Sequence, residues 1–247
     1  MKHIFTLFFA LLSIFSEAQD TLFQQTIPIT PHPFSATKIR NDLHIDASGN
    51  YWLAFEKSGL GKFNGSSWSF FDTIGNVLPV LKVNHVTTDI AGNIFAGTSE
   101  GLSVFNGTNW QHFNSSNSSL PASGVTTVET NGIDTWIGTN TGIYKYTIGS
   151  FTIPPVLMSL TIHPITCIAF GINGEIFTGT TNGIYKYLGS FTSIPTSSLP
   201  SQYIIDIAVN GSNELWVSDT LGNLFYRDSV TFIYKSILPL TAISLIY

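Results

Sequence analysis

The 247-residue chain holds a single cysteine, Cys167, so no disulfide can form within it. Charge is equally scarce: 10% of the residues are Asp, Glu, Lys or Arg, with 15 acidic and 10 basic side chains and a net charge of −5. That balance lacks the clustered basic excess of a nucleic-acid footprint and the charge density of a coiled coil, so no nucleic-acid partner is expected. There is no HExxH, no Cys/His pair at metal spacing and no GxSxG nucleophile elbow. What is abundant is apolar material. With 43% hydrophobic and 13% aromatic residues the chain is core-forming, and its length suits one large all-β domain or two small ones.

Lys2 and His3 precede an uncharged apolar run, Ile4 to Phe15, followed by Ser16, Glu17 and Ala18. About 12 apolar residues are too few to span ~30 Å of hydrocarbon as a helix, and small residues stand at −3 and −1 of a cut after Ala18. Residues 1–18 are therefore expected to be a cleaved signal peptide, with residues 19–247 exported as a secreted or periplasmic product. No cysteine stands at the cut, which argues against a lipoprotein anchor. The uncharged stretch Phe151 to Phe170 contains Pro154, Pro155 and Pro164, which break a helix, so it reads as loops and strands rather than a membrane span. Cys167 within it reads as a small apolar residue of a core strand.

A period of about 40 residues dominates the rest. Aromatics recur at Trp52, Phe95, Trp136, Phe177 and Trp216, and glycines follow at Gly59, Gly101, Gly142, Gly183 and Gly222. A second aromatic column is Phe63, Phe105, Tyr146, Tyr187 and Tyr226, and a third is Trp68, Trp110, Phe151, Phe191 and Phe232. In the second copy four strands are expected at Val83 to Thr88, Ile94 to Gly97, Leu102 to Phe105 and Trp110 to Phe113, separated by Asp89–Asn93, Thr98–Gly101 and Asn106-Gly107. Links carry Leu78-Pro79, Leu120-Pro121, Leu199-Pro200 and Leu238-Pro239, and first strands start four residues after each proline. Four-stranded units of this period are β-propeller blades, which bury their faces only against neighbours.

The segment AGNIFAGTSEGLSVFNGTNWQHFN at 91–114, and nearly as well SGNYWLAFEKSGLGKFNGSSWSFF at 48–71, resembles the two-component regulator propeller repeat. Copies three to five, such as NGEIFTGTTNGIYKYLGSF at 173–191, keep the aromatic, Gly-Thr and Gly-Ile columns but lose the Asn-Gly before the last strand. The resemblance spans roughly residues 39–247. It implies an all-β propeller serving as the extracytoplasmic sensor of a membrane histidine kinase, or as a secreted surface protein. Five full blades within residues 39–236 are expected. Phe23 to Ile27 reads as an outermost strand and Ile243 to Tyr247 as an innermost one, together a partial closing blade without its middle strands. Such an open edge would invite self-association and would suit a truncated product.

The turns Asp46–Asn50 and Asp89–Asn93 read as hairpins held by the Asp side chain rather than as calcium loops, which need more oxygens. His44, His85, His112 and His163 read as separate strand or loop residues, and Asn64, Asn106, Asn114, Asn117 and Asn210 as sequons frequent by composition. The aromatic columns read as inter-blade core rather than sugar-stacking platforms. Ligand contacts are expected on variable loops, taken as blade-joining: Glu56 to Ser58, Ser99-Glu100, Asn140-Thr141, Thr181-Asn182 and Ser218 to Thr220. The functional expectation is a non-catalytic binding or sensory propeller recognising a glycan or protein partner, with no cofactor, no metal, and no individual binding residue assigned. The alternatives are a propeller enzyme resembling the virginiamycin B lyase group, or a nonfunctional fragment.

Overall fold

The computed structural model describes residues 39–74, 77–132, 134–147, 156–157, 163–227 and 234–238. These residues form five antiparallel sheets, each of four strands in sequential order. The first sheet is β1 (Ile39–Ile45), β2 (Tyr51–Phe55), β3 (Leu60–Phe63) and β4 (Trp68–Phe71). The second is β5 (Val83–Thr88), β6 (Ile94–Thr98), β7 (Gly101–Phe105) and β8 (Trp110–Phe113). The third is β9 (Val125–Thr130), β10 (Asp134–Thr139), β11 (Gly142–Thr147) and β12 (Val156–Leu157). The fourth is β13 (Ile165–Phe170), β14 (Ile176–Thr180), β15 (Gly183–Tyr187) and β16 (Phe191–Ile194). The fifth is β17 (Ile204–Val209), β18 (Leu215–Asp219), β19 (Leu224–Arg227) and β20 (Tyr234–Leu238). The strands fall into two compact units, the first three sheets in one and the last two in the other. The signal segment 1–18, the strands expected at Phe23 to Ile27 and Ile243 to Tyr247, and Phe151 and Phe232 lie outside the described residues.

The first aromatic column occupies one register position. Trp52, Phe95, Trp136, Phe177 and Trp216 pair with His44, Thr87, Glu129, Ala169 and Ala208, each the next-to-last residue of its sheet's first strand. Four of the five are buried, and Trp216 is half-buried. One core cluster joins Phe95, Leu102 and Phe113 of the second sheet to Val125, Val128 and Ile137 of the third. Another joins Phe177 and Ile184 of the fourth to Ile204 and Val217 of the fifth. Core placement of this column therefore follows from sheet-on-sheet burial, at roughly 25 cal/mol per Å² of apolar surface.

The glycine column has a steric cause. Gly59, just before β3, and Gly101, the first residue of β7, adopt φ +76° and +136° where the exit of the fourth strand crosses them. A Cβ would stand 2.1 Å from the Phe71 carbonyl oxygen at Gly59 and 2.0 Å from that of Phe113 at Gly101. The Gly of the Gly-Thr pair answers a different need. At Gly97 a Cβ would lie 2.7 Å from Val125 Cγ1 on the first strand of the next sheet, and at Gly179 it would collide first with Cys167 Sγ on its own sheet's first strand and then, at 3.0 Å, with Ile204 Cγ2 of the next sheet.

Side-chain acceptors shape the hairpins. Asp46 Oδ1 accepts the amides of Ser48 and Asn50, both at 2.9 Å, while Oδ2 accepts Asn50 Nδ2 and Trp52 Nε1. Asp89 repeats the arrangement with Ala91 and Asn93. Burial pushes the Asp46 carboxyl up, but the bonds from Asn50, Trp52 and Ser48 outweigh it and hold the group below the usual carboxylate range. These oxygens are thus occupied by donors of the turn itself. The five sequon asparagines, Asn64, Asn106, Asn114, Asn117 and Asn210, each accept a backbone amide within three or four residues. Four of them accept the amide two residues on, as in an Asx turn, and Asn117 accepts the Asn114 amide three residues back.

Cys167 lies in β13, 6% exposed. Burial pushes its thiol well up, and the Asp206 carboxylate adds to the effect. A maleimide or disulfide reagent should therefore leave the native protein essentially unlabelled and modify Cys167 fully once the chain is unfolded. Rapid labelling of the native protein would contradict its placement in the core.

Candidate functional site

In a sequential antiparallel sheet the start of strand one, the turn between strands two and three, and the end of strand four share one end. The segments expected as blade-joining loops are these internal turns: Glu56 to Ser58 joins β2 to β3, Ser99-Glu100 joins β6 to β7, Asn140-Thr141 joins β10 to β11, and Thr181-Asn182 joins β14 to β15. Ser218 and Asp219 close β18, and Thr220 begins the turn to β19. The links between sheets are instead the neighbouring segments 72–82, 114–124 and 195–203. Turn and link are both polar and lie at the same end, so the sequence pattern alone does not tell them apart.

Backbone bonds stitch turns to links. Gly59 N donates to Leu81 O at 2.8 Å, tying the first sheet's turn to the link entering the second, and Gly183 N donates to Gln202 O at 2.7 Å between the fourth and fifth. Ser99 N to Lys82 O, Thr181 N to Pro164 O and Thr220 N to Tyr203 O tie each turn to its own sheet's entry. Gly124, at φ +77°, passes so close to the Ser99 turn that a Cβ would meet Ser99 O at 2.3 Å. Thr98, Thr139 and Thr180 each donate through Oγ1 to the carbonyl three residues on, closing the same turn. In the fifth sheet Asp219 takes over, accepting the amides of Leu221 and Asn223.

On this fixed backbone the side chains differ. Glu56 pairs with Lys82 at 3.0 Å in the first unit. Asn182 contacts the His163 ring at 3.0 Å in the second, where Ser201 and Thr220 also share a hydroxyl contact of 3.1 Å. Ile74 and Leu81 at this end of the first unit, and Tyr203 and Leu221 at this end of the second, are exposed apolar side chains. A rigid backbone carrying mixed polar and apolar groups is suited to binding.

A second grouping was not legible in the sequence. Asp42, His85 and Glu129 stand on the first strands of three successive sheets. His85 Nδ1 lies 3.2 Å from Asp42 Oδ2, and Nε2 lies 3.8 Å from Glu129 Oε1. His85, which reads from the sequence as a separate strand residue, thus meets carboxylates from both neighbouring sheets. Beside the group, His44 Nε2 contacts Thr88 Oγ1 at 2.8 Å, and Asn84 Nδ2 donates to Val125 O. His112 is bound to Ser103 Oγ and stacked on Trp110, away from this group. Among the described residues no three His, Cys, Asp or Glu side chains are arranged to hold a metal ion, and no helix is long and apolar enough to cross a membrane.

No protein-family model and no curated protein matches the chain. Solved structures do match. The extracellular domain of the hybrid two component system BT3049 from B. thetaiotaomicron aligns at TM-score 0.68 and 20% identity over 85% of this chain and 30% of that one. The extracellular domain of the one component system BT4673 from the same organism aligns at 0.65 and 20%, over 82% and 28%. Virginiamycin B lyase from Staphylococcus aureus aligns at 0.64 and 13%, over 79% and 68%. The chain thus spans about a third or less of the two extracellular domains. At these identities the likeness is one of fold, and the chain is built from the four-stranded blades of the β-propellers found in the extracellular domains of such signalling systems.

Proposed function

We propose that the chain is an exported, non-catalytic binding or sensory propeller that recognises a glycan or protein partner through the end formed by its links and second turns. Its export rests on residues 1–18 acting as a signal peptide, and its ring on five full blades with a partial closing blade. The observation that carries the reading is the contrast at that end: a backbone fixed by turn-to-link bonds in four of the five sheets, bearing side chains that differ from sheet to sheet. The fold shared with extracellular domains of signalling proteins supports it. The lyase likeness supports the fold only, and the Asp42–His85–Glu129 groups pair with one another on the first strands of their sheets.

Calorimetric titration of residues 19–247 with a panel of defined oligosaccharides and peptides should give saturable binding to one class. Joint replacement of Lys57, Glu100, Asn140 and Asn182 by Ala should weaken it at least tenfold while leaving the melting temperature within a few degrees, because surface changes of this kind cost little stability. Binding insensitive to those changes, or chemical turnover of the bound molecule, would contradict the proposal.

A further inference from the structure

Six Asn-Gly pairs lie within the described residues, and their surroundings divide them into two groups of three. Asn64-Gly65, Asn106-Gly107 and Asn173-Gly174 are exposed, in the turns β3–β4, β7–β8 and β13–β14. Gly65, Gly107 and Gly174 adopt φ of +92°, +89° and +77°, and a Cβ on any of them would meet nothing within 4 Å. Among the described residues no acceptor takes these glycine amides, and none takes the side-chain nitrogen of the preceding Asn. Asn64 Oδ1 accepts the amides of Ser66 at 3.0 Å and Ser67 at 2.8 Å, and Asn106 Oδ1 those of Thr108 and Asn109, which draws electrons from the side-chain carbon. The other three pairs are tied down. Gly132 N donates to Thr130 Oγ1 at 3.1 Å, and Asn131 Oδ1 accepts the Asp134 amide. Gly183 is buried and its amide donates to Gln202 O at 2.7 Å, while Asn182 Nδ2 contacts the His163 ring at 3.0 Å. Asn210 Nδ2 donates to Glu214 Oε2, and its Oδ1 accepts the amides of Ser212 and Glu214.

We propose that Asn64, Asn106 and Asn173 are sites of covalent self-modification, converted to aspartate and isoaspartate by the amide of the following glycine with water as co-reactant. Asn is a thermolabile side chain, and a glycine after it leaves the attacking nitrogen unshielded. Hydroxide takes the glycine N–H proton, the nitrogen attacks Asn Cγ, and the Cγ–Nδ2 bond breaks as Nδ2 takes a proton from water and leaves as ammonia. Water then opens the cyclic imide. Opening at the side-chain carbonyl gives aspartate, and opening at the main-chain carbonyl gives isoaspartate. At positions 64 and 106 aspartate keeps the acceptor that shapes the turn, whereas isoaspartate routes the main chain through the former side chain and loses it. Either product adds a negative charge. The three turns lie at the end of the sheets opposite the links, so the proposal is independent of the ligand-binding end.

Peptide mapping by mass spectrometry tests it, on residues 19–247 held in mildly alkaline buffer made with heavy-oxygen water. Conversion at 64, 106 and 173, seen as labelled aspartate and isoaspartate, should run roughly tenfold or more ahead of 131, 182 and 210, because each restraining hydrogen bond must open first. In concentrated urea all six pairs should react at comparable rates. Asn64→Asp should abolish the change at 64 and leave 106 and 173 converting as before. Equal rates at all six pairs in the native protein would overturn the proposal. So would native silence at 64, 106 and 173 while the urea-unfolded chain converts.

Discussion

Gly101→Ala is expected to be among the most damaging single-methyl changes in the protein. The added carbon would stand 2.0 Å from the Phe113 carbonyl oxygen, at a φ of +136° that an L side chain rarely adopts. Neither the exit of β8 nor the start of β7 can retreat without breaking the antiparallel register between Leu102 and Phe113. The cost should be roughly 3–5 kcal/mol, a loss on the order of 10 °C in melting temperature for a chain of this length. Gly92→Ala is the matched control. It shares positive φ, at +82°, but its Cβ would meet nothing within 4 Å, so only the backbone strain of about 1 kcal/mol should appear. Equal thermal shifts for the two variants would show that the close approach at Gly101 carries no energetic weight.

Phe95→Ala should cost a similar amount by a different route. Phe95 is 1% exposed, belongs to the cluster joining the second and third sheets, and meets the Tyr146 ring edge-on at 5.5 Å. Removing a buried Phe typically costs about 3–5 kcal/mol, part lost transfer energy and part cavity. Ile90→Ala, at a side chain 83% exposed, should stay within about 0.5 kcal/mol. Urea unfolding of both variants gives the comparison, and a Phe95→Ala loss near that of Ile90→Ala would contradict the role of the column as inter-sheet core. Burial also pushes the phenol of Tyr146 up to about 12, with the Asp89 carboxylate contributing. The aromatic partner of Phe95 therefore stays neutral through the ordinary pH range.

The columns were legible in the sequence because each answers a constraint repeated in every sheet. Gly59 and Gly101 answer a backbone crossing, Gly97 an incoming strand, and Trp52 and Phe95 the apolar space between sheets. Asp46 and Asp89 announced their turns because the capping donors lie within a few residues of the acceptor. Convergence of Asp42, His85 and Glu129 was hidden for the opposite reason. The three residues are separated by 43 and 44 positions, and a bulge at the start of each first strand sets the register of the side chains that follow it. Local pattern carries no information about such a register shift. The turn at Asn140-Thr141 was placed correctly as exposed polar chain but misassigned as a link, since composition does not record which strands a loop connects.

The claim that binding is confined to one end of the sheets meets its most direct test in an amide-exchange footprint of residues 19–247, with and without a saturating oligosaccharide or peptide from the titration panel. Added protection should fall on 56–58, 99–100, 140–141, 181–182 and 218–220 and on the adjoining links, while the hairpins at 46–50, 89–93 and 210–214 exchange unchanged. Protection centred on those hairpins instead would contradict it.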